Sequence, residues 1–191
     1  MHKKNLPKIF YFIDEFIPSE IKKLDKKIAI IFRNYTKKYN MKEIIKLKNF
    51  CKNNDYRFYL ANNIKMALKI NLDGVYLPSF NKDFKINLYS KRKRFQIIGS
   101  AHNFKELKTK EKQGCKLIFL SPIFKVNKKI NNLGIFEFNK IAYLSKTKLI
   151  ALGGITSNNF KKLNLLNQYG FASISWIKKN RPKLNLGRFK F

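Results

Sequence analysis

The sequence predicts an α/β fold of the (β/α)8 TIM barrel type. Short apolar runs recur along the whole chain, helical patterns fill most of the intervals between them, and polar residues or glycines follow the runs. Short, nearly uninterrupted apolar runs are typical of strands buried on both faces, as in a parallel sheet covered by helices. Eight such strands alternating with helices indicate a closed barrel, and an open doubly wound sheet is the competing topology. The runs are 9–13, 28–32, 58–61, 74–77, 95–99, 117–120, 149–152 and 171–174.

The intervals between the runs place apolar residues three or four positions apart among lysines, which predicts amphipathic helices. The interval 80–94 is rich in lysine and has weak helical character. We expect residues 1–191 to form a compact single barrel domain that ends in a basic tail, 179–191. The predicted helices are 19–27, 42–53, 64–71, 103–113, 135–144 and 158–167.

The charge of the chain is its most unusual compositional feature, since 42 Lys and Arg oppose 11 Asp and Glu for a net charge of +31. Clustered cations favour phosphate backbones, so a basic nucleic-acid-associated protein is one functional alternative. A hydrophobic content of 45% excludes a disordered basic tail. Base-stacking motifs and zinc spacing are absent, which makes nucleic acid the most distant alternative. The abundant Lys, Asn, Ile, Phe and Tyr all have A/T-rich codons, and gene composition therefore offers a second explanation for the charge.

The compartment prediction rests on the cysteines and on apolar length. Cys51 and Cys115 are the only cysteines, and they offer no disulfide framework or metal-binding spacing. The apolar part of segment 1–16 is too short for a signal-peptide core, and no stretch approaches the roughly 18 apolar residues of a membrane span. We expect a cytoplasmic protein without a membrane partner.

The carboxyl ends of the strands predict where a site lies, because TIM barrels carry their active sites there. Gly153 and Gly154 follow the seventh run and precede a predicted helix, so the backbone can approach an anion closely. Ile174 and Ser175 end the eighth run, and the loops after strands seven and eight form the usual phosphate site of such barrels. A tight turn without a ligand is the alternative interpretation of the two glycines.

Three other residues follow predicted strands. Arg33 ends the second run, where a guanidinium suits bidentate anion binding. Lys129 lies in the long loop 124–134, where it can clamp a phosphate or remain a solvated side chain. His102 stands beside Ser100 after the fifth run, and its role as base, ligand contact or structural residue is open. No carboxylate pair or His/Cys cluster predicts a metal site.

Taken in order along the chain, these motifs resemble those of the thiamine-phosphate synthase / TenI family. Segment 151–159 is similar to A-I-G-G-I-T-x-x-N, and segment 170–177 is similar to G-V-A-V-I-S-A-I. Segment 121–124, followed by Lys129 and a later glycine, resembles G-P-I-F-P-T-x-T-K. Weaker matches are 100–102 to S-A-H, 73–77 to D-G-V-H-L, 62–63 to N-D and Arg33 to the arginine of Q-x-R-x-K.

The resemblance implies a barrel that binds two small phosphorylated heterocycles. In the synthase, a pyrimidine pyrophosphate loses pyrophosphate with the help of magnesium, and the nitrogen of a thiazole phosphate captures the resulting cation. The activity implied is that of a transferase in thiamine biosynthesis. The positions implied for the thiazole phosphate are Gly153, Gly154, Ile174 and Ser175. The implied catalytic positions are Arg33, Ser100 and Lys129, with Asn62 as a further contact of the pyrimidine pyrophosphate.

The chain departs from the family pattern at the magnesium positions. The aspartate of N-D corresponds to Asn63, and the aspartate after D-G-V-H-L-G-Q corresponds to Asn81. An amide keeps an oxygen ligand but loses the charge that retains a hard dication. Mg²⁺ is therefore left open as a cofactor with reduced affinity, and no other cofactor is predicted. The glutamine and lysine that flank the family's arginine correspond to Ile31 and Tyr35.

Two functions of the barrel stay open at this point. One is a synthase in which Lys125, Lys128 and Lys129 offset the pyrophosphate charge in place of a metal. The other is a non-catalytic or TenI-like barrel that binds thiazole phosphate. The TenI branch uses a histidine just before the sixth-strand loop, where this chain has Ser121 and Pro122. Assembly into a homo-oligomer is likewise open.

Overall fold

The computed structural model describes residues 5–36, 39–92, 94–126 and 131–180. Eight parallel strands pair in sequence order, and the eighth pairs with the first, so the sheet closes into a barrel. The predicted TIM barrel is confirmed, and the competing open sheet is excluded. The strands are β1 (Ile9–Ile13), β2 (Ile28–Phe32), β3 (Phe58–Ala61), β4 (Gly74–Leu77), β5 (Gln96–Ala101), β6 (Leu117–Leu120), β7 (Lys148–Leu152) and β8 (Gly170–Ala172).

The strands form from apolar runs because both of their faces are buried. In β1, Ile9, Tyr11 and Ile13 belong to the core between the sheet and the outer helices. The alternate residues Phe10 and Phe12 belong to a second core inside the barrel. This period of two explains why the runs lack polar alternation.

The helices cover the outside of the sheet with apolar faces, and most of their lysines face solvent, as Lys42 and Lys46 of α2 do. Three predicted helices, at 19–27, 64–71 and 103–113, are shorter in the structure than expected. The segment predicted at 19–27 forms only four helical residues, since a turn in which Asp25 Oδ1 accepts from the Lys27 N–H at 2.7 Å leads into β2. The helices are α1 (Pro18–Ile21), α2 (Met41–Asn53), α3 (Ile64–Lys69), α4 (Phe104–Lys112), α5 (Gly134–Leu144) and α6 (Ser175–Asn180), with 3₁₀ helices at Phe84–Tyr89 and Phe160–Leu165.

The segment predicted to be helical at 158–167 forms a 3₁₀ helix, Phe160–Leu165, rather than an α-helix. The side chain of Asn159 does not cap this helix. It accepts from the Thr156 N–H at 2.8 Å and donates to the Gly154 carbonyl at 2.7 Å. Asn159 thus stabilises the preceding glycine loop rather than the helix start.

Aromatic side chains fill the barrel interior. The Phe119 ring lies edge-on to Phe10, Phe12 and Tyr76, with centroid separations of 4.9, 5.8 and 5.6 Å. Edge-to-face contacts of this kind add to the stabilisation from apolar burial. The interior is therefore a packed core, and any ligand must bind at one end of the barrel. No helix in the described ranges is long and apolar enough to span a bilayer.

The start of α4 offers a local stability test. Asn103 Oδ1 accepts from the Glu106 N–H at 2.9 Å, and Glu106 Oε2 accepts from the His102 N–H at 2.8 Å. This reciprocal arrangement resembles a capping box. We expect Asn103→Ala to lower the free energy of unfolding by about 1 kcal/mol in urea titrations, and Asn103→Ser to keep most of the stability. Equal losses in the two variants would contradict a capping role.

Candidate functional site

The mouth of the barrel is defined here as the end at which the strands finish, bounded by Arg33, Asn62, Ser100, Gly153 and Ser175. Each lies in the last two residues of a strand or within three residues after its end. Because parallel strands direct their carboxyl ends to one edge, these residues lie around a single opening. The side chains and backbone groups around this opening determine what it can bind.

Arg33 lies over the barrel interior. Its backbone N–H continues the β1–β2 pairing by donating to the Ile13 carbonyl at 2.7 Å. Its guanidinium carbon lies 4.6 Å from the centre of the Phe12 ring and 5.9 Å from that of Tyr35. The aromatic faces stabilise the cation without neutralising it, and the guanidinium stays available to an anion at the mouth.

Tyr76 lies beside Ser100 and Arg33 at the top of the interior core. Burial raises the pKa of the Tyr76 hydroxyl more than the neighbouring Ser100 and Arg33 side chains lower it, so the hydroxyl stays neutral at physiological pH. Ser100 is itself only 6% exposed. Sequence reasoning treated Tyr76 as a strand residue only, although it stands where the family motif D-G-V-H-L has histidine.

Gly153 and Gly154 form a tight loop after β7, with φ angles of 92° and 71°. The Phe124 N–H donates to the Gly153 carbonyl at 3.1 Å, which fixes the loop against the segment that follows β6. A Cβ atom on Gly154 would lie 2.3 Å from the Phe124 carbonyl oxygen. Within the described ranges, the backbone N–H groups of Gly154 and Ser175 donate to no protein acceptor. These N–H groups are available to a phosphate.

The prediction that Ile174 and Ser175 end the last strand is wrong in detail. β8 stops at Ala172, and Ser175 is the first residue of α6. The reason is local, because the Ser173 hydroxyl accepts from the Trp176 N–H at 3.3 Å and turns the chain into the helix. Ile174 and Ser175 still lie at the mouth beside the glycine loop, since β7 and β8 pair at Leu152 and Ala172.

Asn62, Asn63 and Asn81 form the asparagine corner of the mouth. The Asn81 side-chain amide donates to Asn62 Oδ1 at 2.7 Å. Asn63 Oδ1 accepts from the Met66 N–H at 3.0 Å and caps α3. Asn81 Oδ1 accepts from the Asp83 N–H at 3.0 Å and from Gln113 Nε2 at 3.1 Å. All three amide oxygens therefore already have protein donors.

A buried lysine lies beneath the asparagine corner. Lys110 and Gln113 are both 0% exposed. Lys110 Nζ donates to the Asn81 carbonyl at 2.7 Å and to Gln113 Oε1 at 2.9 Å. Burial lowers the pKa of Lys110 to about 8, so the ammonium remains mainly protonated at neutral pH. The sequence analysis did not single out Lys110. Its position three residues after the core residue Leu107, on the buried face of the helix, could have indicated its burial.

The asparagine corner does not fit the magnesium ion that the family resemblance implies. Its amide oxygens already accept hydrogen bonds, its three side chains carry no charge, and an ammonium lies next to Asn81. The Asp83 carboxylate, which lines the same pocket, accepts from the Lys85 N–H at 2.9 Å. Over the part of the chain that the structure describes, no group of three or more His, Cys, Asp or Glu could hold a metal. A hard dication needs charged, accessible oxygen ligands.

The remaining sequence-predicted residues divide into two cases. Lys129 lies outside the described residues, as does Lys128. His102 Nδ1 lies 2.9 Å from Glu106 Oε2, in an i,i+4 pair at the start of α4. The carboxylate thus engages both the ring and the backbone N–H of His102, which assigns this histidine to the cap of α4.

A family model described as "Thiamine monophosphate synthase" matches residues 22–177. The chain belongs to the thiamine monophosphate synthase family. This confirms the resemblance seen in the sequence. The solved structure of a thiamine phosphate pyrophosphorylase from Pyrococcus furiosus superposes with a TM-score of 0.73 and 18% identity, covering 94% of each chain, which shows a shared fold.

Curated relatives of this thiamine monophosphate synthase family member differ in length. The thiamine-phosphate synthase of Prochlorococcus marinus strain AS9601 is 30% identical over 152 residues, which cover 76% of this chain and 41% of that protein. The chain thus spans about two fifths of that relative. The thiamine-phosphate synthase of Lactococcus lactis subsp. cremoris is 22% identical over 197 residues, covering 93% of this chain and 90% of that protein.

Proposed function

We propose that this thiamine monophosphate synthase family member joins a pyrimidine pyrophosphate to a thiazole phosphate and releases pyrophosphate. The observation that carries the proposal is the presence of two anion-binding features at one mouth. Arg33 lies over the interior core, and the Gly153–Gly154 loop presents backbone N–H groups beside Ser175. Two phosphorylated substrates bound at these features would meet above Phe12 and Tyr76.

The chain's own residues supply binding, orientation and charge in this proposal. Gly154, Ile174 and Ser175 hold the thiazole phosphate. Arg33 offsets the charge that accumulates on the leaving pyrophosphate, and a bidentate guanidinium is suited to that task. The Tyr76 hydroxyl, with Ser100 beside it, helps to position the guanidinium. As pyrophosphate departs with the bonding electron pair, the thiazole nitrogen captures the pyrimidine cation.

The proposal assigns no step to magnesium, because the asparagine corner does not fit a dication. Asn62 contacts the pyrimidine pyrophosphate through its amide, and Lys125 and Lys129 contribute further positive charge. Lys125 is exposed at the start of the loop that follows β6. Catalysis by these groups without a metal is the part of the proposal that separates this chain from the pattern of the family.

A second candidate is a barrel that binds thiazole phosphate without catalysing the transfer. The asparagine corner favours this candidate, since its side chains hydrogen-bond one another and the protein backbone. The glycine loop, by contrast, keeps the geometry expected of a phosphate site. Under this candidate, thiazole phosphate binds while the pyrimidine pyrophosphate does not react.

A chromatographic assay of thiamine phosphate formation from the two purified precursors distinguishes the candidates. For the synthase we expect product at similar rates in EDTA and in Mg²⁺, and none from Arg33→Met. Binding of thiazole phosphate without product would support the second candidate. If neither precursor binds, both candidates are wrong.

The proposal extends to the location, domain organisation and partners of the protein. Free, buried Cys51 and Cys115 agree with a cytoplasmic location, where thiols stay reduced. Every described strand and helix belongs to one barrel, which supports a single domain over residues 1–191. The proposed partners are small phosphorylated heterocycles.

A further inference from the structure

The asparagine corner has amides where the family has carboxylates. By resemblance, Asn63 and Asn81 occupy the two positions at which the family's aspartates hold magnesium. Replacing two carboxylates with amides removes two negative charges, and a dication at such a site would lose most of its stabilisation. The structure places another cation, the Lys110 ammonium, against the Asn81 backbone carbonyl.

The positive charge at this corner comes from Lys110. Its ammonium donates to the Asn81 carbonyl and to Gln113 Oε1, both neutral oxygens. No carboxylate of the described residues lies within ion-pair distance of it. A buried ammonium held only by neutral dipoles is costly unless the surrounding oxygens are fixed in place, as they are here by Gln113.

The space for this lysine is built into β5. A Cβ atom on Gly99 would lie 2.9 Å from Lys110 Cδ and 2.9 Å from Cys115 Sγ. The absence of a side chain at Gly99 therefore allows the lysine stem to pass between α4 and the sheet. Its end reaches the loop after β4, which lies 29 residues earlier in the chain.

We propose that the Lys110 ammonium is a permanent replacement for a divalent cation at the asparagine corner and holds Asn81 and Asn62 in position at the mouth. Through the Asn81 carbonyl it fixes the loop after β4, and the Asn81 amide in turn orients Asn62. Lys110 is a positioning residue, because it touches no substrate. The inference rests on matching Asn63 and Asn81 to the family's magnesium positions and is independent of whether the transfer reaction occurs.

The first test measures Mn²⁺ binding by electron paramagnetic resonance on folded, purified protein. We expect no bound Mn²⁺ in the wild type and weak binding in N63D/N81D, because the ammonium repels the ion and pairs with an introduced carboxylate. Adding K110M should tighten binding by more than about tenfold. Adding K112M instead should change nothing, since Lys112 is an exposed lysine of the same helix.

Two outcomes of this experiment would overturn the proposal. One is Mn²⁺ binding by the wild type that is lost on changing Asn63 or Asn81 to alanine. The other is equal Mn²⁺ affinity in N63D/N81D with and without K110M.

The second test uses single variants and reports on position rather than on metal. Hydrogen exchange of the Asn81 side-chain amide, followed by nuclear magnetic resonance, should accelerate in K110M and stay near the wild-type rate in K110R and K112M. If K110M fails to fold, Lys110→Gln keeps a polar side chain without the ammonium and should accelerate the same exchange. Unchanged exchange in whichever of these variants folds would contradict the positioning role.

Discussion

Gly154→Ala is expected to abolish thiazole phosphate binding at the mouth, with an affinity loss of more than about 100-fold. A Cβ atom at this position meets the Phe124 carbonyl oxygen at 2.3 Å, and the φ angle of 71° is strained for any side chain. The loop must therefore move, which displaces the Gly154 N–H that we assign to phosphate binding. The free energy of unfolding should also fall by at least about 2 kcal/mol. Calorimetric titration and urea unfolding measure the two effects.

Gly134→Ala is the matched control for this prediction. Gly134 has a similar φ angle of 68°, but a Cβ atom there meets only Asn132 Nδ2, at 4.0 Å. This variant carries the backbone strain without the collision, so we expect a smaller stability loss and retained phosphate binding. If both variants bind thiazole phosphate as the wild type does, the glycine loop is not the phosphate site.

Arg33→Met should reduce the affinity for inorganic pyrophosphate by about 100-fold, because a charge-assisted bidentate contact contributes roughly 2–3 kcal/mol. Arg33→Lys should recover only part of this affinity, since an ammonium keeps the charge but not the planar fork. Calorimetry in EDTA measures both variants.

The control for Arg33 is Arg92→Met, which removes the same charge before β5, at the opposite end of the barrel. An equal loss of pyrophosphate affinity in Arg92→Met would mean that binding follows the net charge of +31 rather than the mouth. We expect pyrophosphate to bind at the mouth rather than to the overall charge. Much of the charge lies on helix faces that point away from the barrel, as for the exposed Lys42 and Lys46 of α2. The charge is thus weak evidence for a nucleic-acid partner.

The strands and the position of the mouth could be predicted from sequence because both follow from local patterns. Each strand is a short apolar run. Alternate residues are buried inside and outside the barrel, so polar residues do not interrupt these runs. Helix ends were less predictable, since they depend on side-chain bonds. Asn159 bonds the glycine loop instead of capping a helix, and Ser173 turns the chain into α6 where the strand was expected to continue.

The asparagine corner could be predicted only in part. The loss of acids at Asn63 and Asn81 was visible in the motifs, but the cation beneath them was not. Lys110 is one of 42 cationic residues, and its partner Asn81 lies in another element. In the sequence, only its position three residues after Leu107 distinguished Lys110 from the solvated lysines. The sequence did not indicate that Gly99 provides space for the lysine stem.

The central claim is that the mouth binds phosphorylated ligands without a divalent metal. Calorimetric titration of thiazole phosphate, followed by inorganic pyrophosphate, in parallel EDTA and Mg²⁺ buffers tests it most directly. We predict that both ligands bind and that their affinities agree in the two buffers. Binding that appears only with Mg²⁺, or no binding of thiazole phosphate in either buffer, would contradict the claim.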